Sequence, residues 1–147
     1  MIFEEKFSVA PMMEWTDRHC RYFHRLLSSS AVLYTEMISA DALIFGPRQK
    51  LLAFNNEELP CVLQLGGNDP KKLSLAAKFG QSYGYSKINL NIGCPSNRVQ
   101  NGSFGACLMK TPKIVSECVR AMQDVSQLPI TIKSVSYTHL TLPTTYT

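Results

Sequence analysis

The chain has 147 residues, 45% hydrophobic and 18% charged, with 15 Lys and Arg against 11 Asp and Glu for a formal charge of +4. That length suits one modest domain with its own core, and the composition excludes a disordered segment. No cationic start precedes an apolar leader and no stretch is long enough to cross a bilayer, so the expected location is the cytoplasm. The mild positive charge permits an RNA partner without requiring one.

The pattern along the chain alternates strand and helix. Residues 7–12 read as a short strand. Thr16 or Asp17 can cap a helix running to about Ser28, with Cys20, Phe23, Leu26 and Leu27 at helical spacing. Residues 31–37 form a second strand. Residues 39–45 form a short helix that Gly46 and Pro47 stop. A third strand covers 61–65 and ends at Gly66 and Gly67. Asn68, Asp69 and Pro70 then supply a side-chain cap and a proline in the first turn of a helix to about Tyr83. Residues 87–92 are a fourth strand. Thr111 and Pro112 repeat the cap-plus-proline signal for a helix to about Val125, and 129–133 are a fifth strand.

Strands alternating with helices predict βα units and a parallel sheet. Several strands end on a polar or special residue: Pro11 and Met12, Glu36, Gln64, Asn91, Lys133. In a (β/α)₈ barrel that rim is where active sites are built. A doubly wound sheet would instead want a Gly-rich turn after the first strand, and PMMEW at 11–15 is not one. The expected fold is therefore α/β, a (β/α)₈ TIM barrel with only about its first five βα units present. Residues 1–134 read as the N-terminal part of that barrel, whose open strand edge is expected to pair with other chains. Residues 135–147 carry no charged side chain and many threonines, resemble translated adapter sequence, and are expected to be a non-native tail.

The most specific signal is NLNIGCPSNRVQNGSFGACLM at 89–109. Asn89 and Asn91 share one strand face and Ile88, Leu90 and Ile92 the other. In a barrel the asparagines point inward, where polar groups are costly unless they serve a ligand or a network. Gly93 turns the chain and Pro95 stiffens the exit, so Cys94 stands on a rigid bend at the rim. A thiol there can deliver a proton to carbon; a lone cysteine is more often a small buried residue. With two asparagines before it and a Gly-rich loop after it, the catalytic reading of Cys94 is preferred. Gly102, Gly105 and Ala106 leave room for a close approach, to a planar ligand or between loop and helix. Arg98 suits a phosphate contact or a solvated loop. The five cysteines contain no Cys-x-x-Cys pair, which argues against a disulfide framework and against a metal site.

These pieces resemble the tRNA-dihydrouridine synthases, flavoenzymes with an FMN-binding (β/α)₈ barrel and a C-terminal helical domain. The likeness covers residues 7 to about 134 and rests on VAPMMEWTD at 9–17, YTEM at 34–37, LQLGG at 63–67, the 89–109 block and Ile132-Lys133, in that order. WTDRHCRYF at 15–23 and NGSFGACLM at 101–109 look most like the bacterial A-type enzymes, which modify uridines 20 and 20a of the tRNA D-loop. The resemblance implies that Pro11, Met12 and Met13 lie against FMN, that Gln64 bonds its ring, and that Lys133 places a charge at its N1/O2 edge. It implies that Asn91 contacts the target uridine of tRNA, that Cys94 is the general acid, and that NADPH is the reductant. The family's FMN phosphate is gripped by later strands absent here, so the chain alone is expected to be inactive. His139 is in the tail and is not a substitute ligand. The other readings are a dihydroorotate dehydrogenase-type FMN barrel and a non-catalytic RNA-binding fragment.

Overall fold

A computed structural model of the chain describes residues 7–136. The described part is a curved parallel sheet with helices on its outer side. Its elements are β1 (Ser8–Val9), α1 (Arg18–Leu27), β2 (Val32–Tyr34), β3 (Ile38–Ser39), α2 (Ala40–Phe45), α3 (Arg48–Leu51), β4 (Cys61–Gly66), α4 (Pro70–Ser82), β5 (Lys87–Asn91), α5 (Asn97–Asn101), α6 (Pro112–Gln123) and β6 (Ile130–Lys133). The strand order is β1-β2-β4-β5-β6, all pairs parallel, with β3 also on β4. Neighbours in sequence are neighbours in space, as in a barrel wound in one direction. The described residues form a half-barrel of six strands, five along the path and β3 beside the end of β4, the architecture expected from the alternating pattern. The expected tail lies outside the described residues from position 137 on, His139 included.

The core lies between sheet and helices. Leu63, Leu65, Ile88 and Leu90 point outward from β4 and β5 onto Leu73, Ala76 and Ala77 of α4 and onto Val115, Cys118 and Met122 of α6. Fully burying one such Leu or Ile contributes about 1.5–3 kcal/mol. Gly80 brings α4 close to the sheet: a Cβ there would stand 2.8 Å from Leu63 Cδ2. Asp69 caps α4 through the amides of Lys71 and Lys72, as its sequence position predicts. Thr111 does not cap α6; its hydroxyl donates back to the Leu108 carbonyl, and Pro112 alone opens that helix.

Two local expectations change. The strand expected at 31–37 is shortened to 32–34, and a separate two-residue strand, β3, follows at 38–39; at the break the Thr35 hydroxyl accepts the Gln64 amide at 3.0 Å and donates to the Glu36 carbonyl at 2.7 Å. On α1, the apolar residues at helical spacing do not face the described core. Phe23, Leu26 and Leu27 are 58%, 68% and 69% exposed, and the buried residue is Arg21. Its guanidinium pairs with fully buried Glu58 at 2.6 Å and donates to the Thr16 carbonyl. The ion pair, rather than an apolar stripe, fixes α1 to the turn before β4.

Candidate active site at the carboxyl rim

The site is built where the strands end. After β1 the chain folds into a turn closed by Thr16, whose hydroxyl accepts from the Met12 amide and donates to the Met12 carbonyl at 3.0 and 3.1 Å. Asp17 then caps α1 through the His19 and Cys20 amides. Those amides hold its carboxyl below the usual range against the opposing effect of burial. Glu14 sits in the left-handed region at φ 65°, and its amide donates to the Glu36 carboxylate. Glu36, unassigned from sequence, therefore ties the first loop to the end of the second strand.

The strand register sets two rows of inward side chains. Gln64, Asn89 and Thr131 are partners across β4, β5 and β6, and Asn91 is the partner of Lys133 one step nearer the rim. The rows are joined. Thr131 donates to the Ile88 carbonyl and accepts from Asn89 Nδ2 at 2.9 Å. Asn89 Oδ1 accepts from Gln64 Nε2 at 2.8 Å, and Gln64 Oε1 accepts from Asn91 Nδ2 at 3.1 Å. Asn91 Oδ1 accepts the amides of Gly93 and Cys94 at 3.0 and 2.9 Å.

The ends of this chain determine its direction. Backbone N–H groups can only donate, so Asn91 must offer them oxygen and turn its nitrogen to Gln64. Gln64 must then answer with oxygen, and Asn89 must do the same toward Gln64. At the other end the Ile88 carbonyl can only accept, which takes the Thr131 hydroxyl proton and leaves Thr131 as acceptor. Both ends demand the same polarity. Gln64 and Asn89 are 1% and 2% exposed, so each made bond offsets a desolvation cost of about 1–3 kcal/mol per orphaned group.

Cys94 rides on the end of this network. Its amide is held by Asn91, its carbonyl accepts the Ala106 amide at 3.0 Å, and its half-buried thiol donates to the Ser96 hydroxyl at 3.5 Å. A cavity of about 210 Å³ is lined by Pro11, Met13, Gln64, Asn91, Cys94 and Lys133, together with Met37, Gly93, Pro95 and Val135. Met12 is not in that lining; it is 44% exposed and its backbone is spent on the Thr16 turn. A larger cleft of about 790 Å³ adjoins, sharing Met13, Met37 and Cys94. Lys133 is half-buried and makes no ion pair among the described residues.

Sequence reasoning missed Thr131 as a member of the site and placed Glu36 at the rim without a role. The alternation that places Lys133 inward also places Thr131 inward, two residues earlier. The other thiols do not join it. Burial pushes Cys61 up to about 12 and Cys118 up to about 11, which keeps both protonated. Cys20 lies 3.4 Å from His24 Nδ1, and burial raises its thiol too. Among the described residues no three His, Cys, Asp or Glu side chains form a metal-binding group, and no helix is long and apolar enough to cross a membrane.

Comparison with known proteins finds a match of residues 8–136 to the dihydrouridine synthase family. The chain is 59% identical over 129 residues to a tRNA-dihydrouridine(20/20a) synthase of Vibrio cholerae, covering 88% of this chain and 39% of that protein. It is 59% identical over 128 residues to the enzyme of that name from Xanthomonas campestris, covering 87% and 38%. The Escherichia coli K12 enzyme is 57% identical over 129 residues, covering 88% and 37%. The chain thus spans less than two-fifths of the length of these relatives.

Proposed function

The chain belongs to the dihydrouridine synthase family, and on that premise we propose that it supplies the proton-donating half of a tRNA-dihydrouridine synthase acting at positions 20 and 20a. The observation that carries the reading is a single rim cavity. It gathers an ammonium that makes no ion pair among the described residues, an amide of fixed orientation and a thiol on a capped bend.

The lining fits the ring of a flavin. Pro11, Met13 and Met37 offer apolar surface, Gln64 keeps one unspent N–H, and Lys133 brings a cation with no carboxylate partner among the described residues. At about 210 Å³ the cavity is smaller than the ~300–1,000 Å³ of a complete small-molecule site, so it suits the ring and not a whole nucleotide. FMN, reduced by NADPH, would supply hydride to C6 of uracil. Lys133 would hold the edge of that ring and favour negative charge on it. Cys94 donates its thiol proton to C5, so hydride and proton together saturate the C5–C6 bond and leave a thiolate to be reprotonated from solvent. Asn91 has one amide N–H left for the uracil, its oxygen being engaged by the loop. A uridine stacked in tRNA must be extruded to reach this depth, and phosphate contacts would dominate RNA affinity. Met12 acts on this site through the Thr16 turn that places Met13.

The test is a chimera in which residues 8–136 replace the matching segment of the Escherichia coli relative. It should form dihydrouridine in tRNA that lacks it. Cys94→Ala in that chimera should abolish product while flavin absorbance is retained. Full activity of the alanine variant would remove Cys94 from the chemistry. Turnover of dihydroorotate with none on tRNA would replace the substrate class.

A further inference from the structure

We propose that Phe104 is a positioning residue for Cys94, anchoring the closed loop that begins at the cysteine and so setting where the thiol stands. The proposal rests on the reading of Cys94 as proton donor. The Ala106 amide donates to the Cys94 carbonyl at 3.0 Å, which closes residues 94–106 into a compact loop. Within it, Gln100 Nε2 donates to the Pro95 carbonyl at 2.6 Å and Val99 is buried. Gly105 is at φ 65°, and a Cβ there would stand 2.6 Å from the Cys94 carbonyl oxygen.

The loop needs a hold on the barrel, and Phe104 provides it. A Cβ on Gly66, the last residue of β4, would lie 2.8 Å from the Phe104 ring and 2.9 Å from Met37 Sδ. A Cβ on Gly102 would lie 2.4 Å from the same ring. Two glycines on different elements thus make way for one side chain. Asn68, two residues beyond β4, adds a bond to the Ser103 carbonyl at 3.2 Å. Phe104 and Met37 both line the larger cleft beside Cys94, and Met37 and Cys94 line both cavities. The open space around Gly66 and Gly102 is therefore filled by packing of loop on strand, and Phe104, which fills it, lines the same cleft as Cys94.

Three variants of the full 147-residue chain test this: Gly66→Ala, Phe104→Leu, and the pair. The readouts are the pH profile of Cys94 alkylation, resolved by peptide, and amide exchange at Ala106. Gly66→Ala should push the ring out, speed Ala106 exchange about tenfold and change the Cys94 rate about threefold, with Cys20 unchanged. Phe104→Leu in that background should bring both readouts back toward the parent, because the ring atom that collides with the new methyl is gone and the flexible Met37 side chain, 2.9 Å away, can shift into the space the ring leaves. Unchanged Cys94 labelling in Gly66→Ala, additive effects in the pair, or equal acceleration at Cys20 would each overturn the proposal. Should Gly66→Ala not fold, Phe104→Ala must alter both readouts and Phe104→Met must restore them, or the proposal fails. No readout involves tRNA, so failure of the dihydrouridine test and failure of this one are separable.

Discussion

Replacing Asn91 by alanine removes three hydrogen bonds at once: those from the Gly93 and Cys94 amides and the one to Gln64 Oε1. Gly93 is buried, so its amide is orphaned, and Gln64 loses the donor on its oxygen in a 1% exposed site. Cys94 is half-buried, and water can reach its amide. Two orphaned groups at about 1–2 kcal/mol each and one solvated bond at about 0.5–1 kcal/mol give a loss of about 2.5–5 kcal/mol. Asn91→Asp separates the two jobs of the residue. A carboxylate still accepts both loop amides, more strongly than an amide oxygen does, but it cannot donate to Gln64. Its cost should fall to about 1–2 kcal/mol, concentrated in the network rather than the loop. The assay is urea unfolding of the chimera together with residue-resolved amide exchange. In Asn91→Ala, exchange at Gly93 and Cys94 should rise at least about tenfold, while the Ile92 amide, bonded to the Lys133 carbonyl, stays protected. In Asn91→Asp the loop amides should remain protected. A loss below about 1 kcal/mol for alanine, or equal deprotection in the two variants, would refute the claim that this side chain caps the Cys94 bend.

Thr131→Val, isosteric but without the hydroxyl, leaves Asn89 Nδ2 unbonded and should cost about 1–3 kcal/mol by urea unfolding, whereas Thr131→Ser should stay within about 1 kcal/mol of the parent. Arg21→Met strands the fully buried Glu58 carboxylate and should cost about 3–5 kcal/mol, a loss that Glu58→Leu in the same chain should largely recover. Burial raises the Cys61 thiol from about 9 to about 12, so the folded state holds a proton there that the unfolded state releases. Its contribution is whole below pH 9 and is lost as pH rises toward about 12; stability should fall across that window, and Cys61→Val should flatten the slope. Native-state alkylation at pH 8 should accordingly reach Cys94 before Cys61 or Cys118, and the reverse order would contradict the burial that raises those two thiols.

Much of this protein is determined by local sequence chemistry. The alternation of apolar strands with capped helices points to parallel βα units, since Asp69 and Pro70 favour a helix start and the short apolar 61–65 run favours a buried strand. Period-two spacing puts Asn89 and Asn91 on one face, and the residues around Cys94 carry enough local signal to single it out. Other features depend on groups far apart in the chain, which no local pattern encodes. The burial of Arg21 follows from Glu58, 37 positions away. The second strand ends early, at Tyr34, where the Thr35 hydroxyl meets the Gln64 amide, 29 positions away. The glycines near Cys94 left two uses open, and only the placement of Phe104 on Gly66 shows that packing fills the space. Asn91 is the clearest case. The sequence put it beside the cysteine, but whether its oxygen faces a ligand or the backbone depends on hydrogen bonds running across three strands to Thr131. That polarity exists only once the sheet has brought its two ends into register.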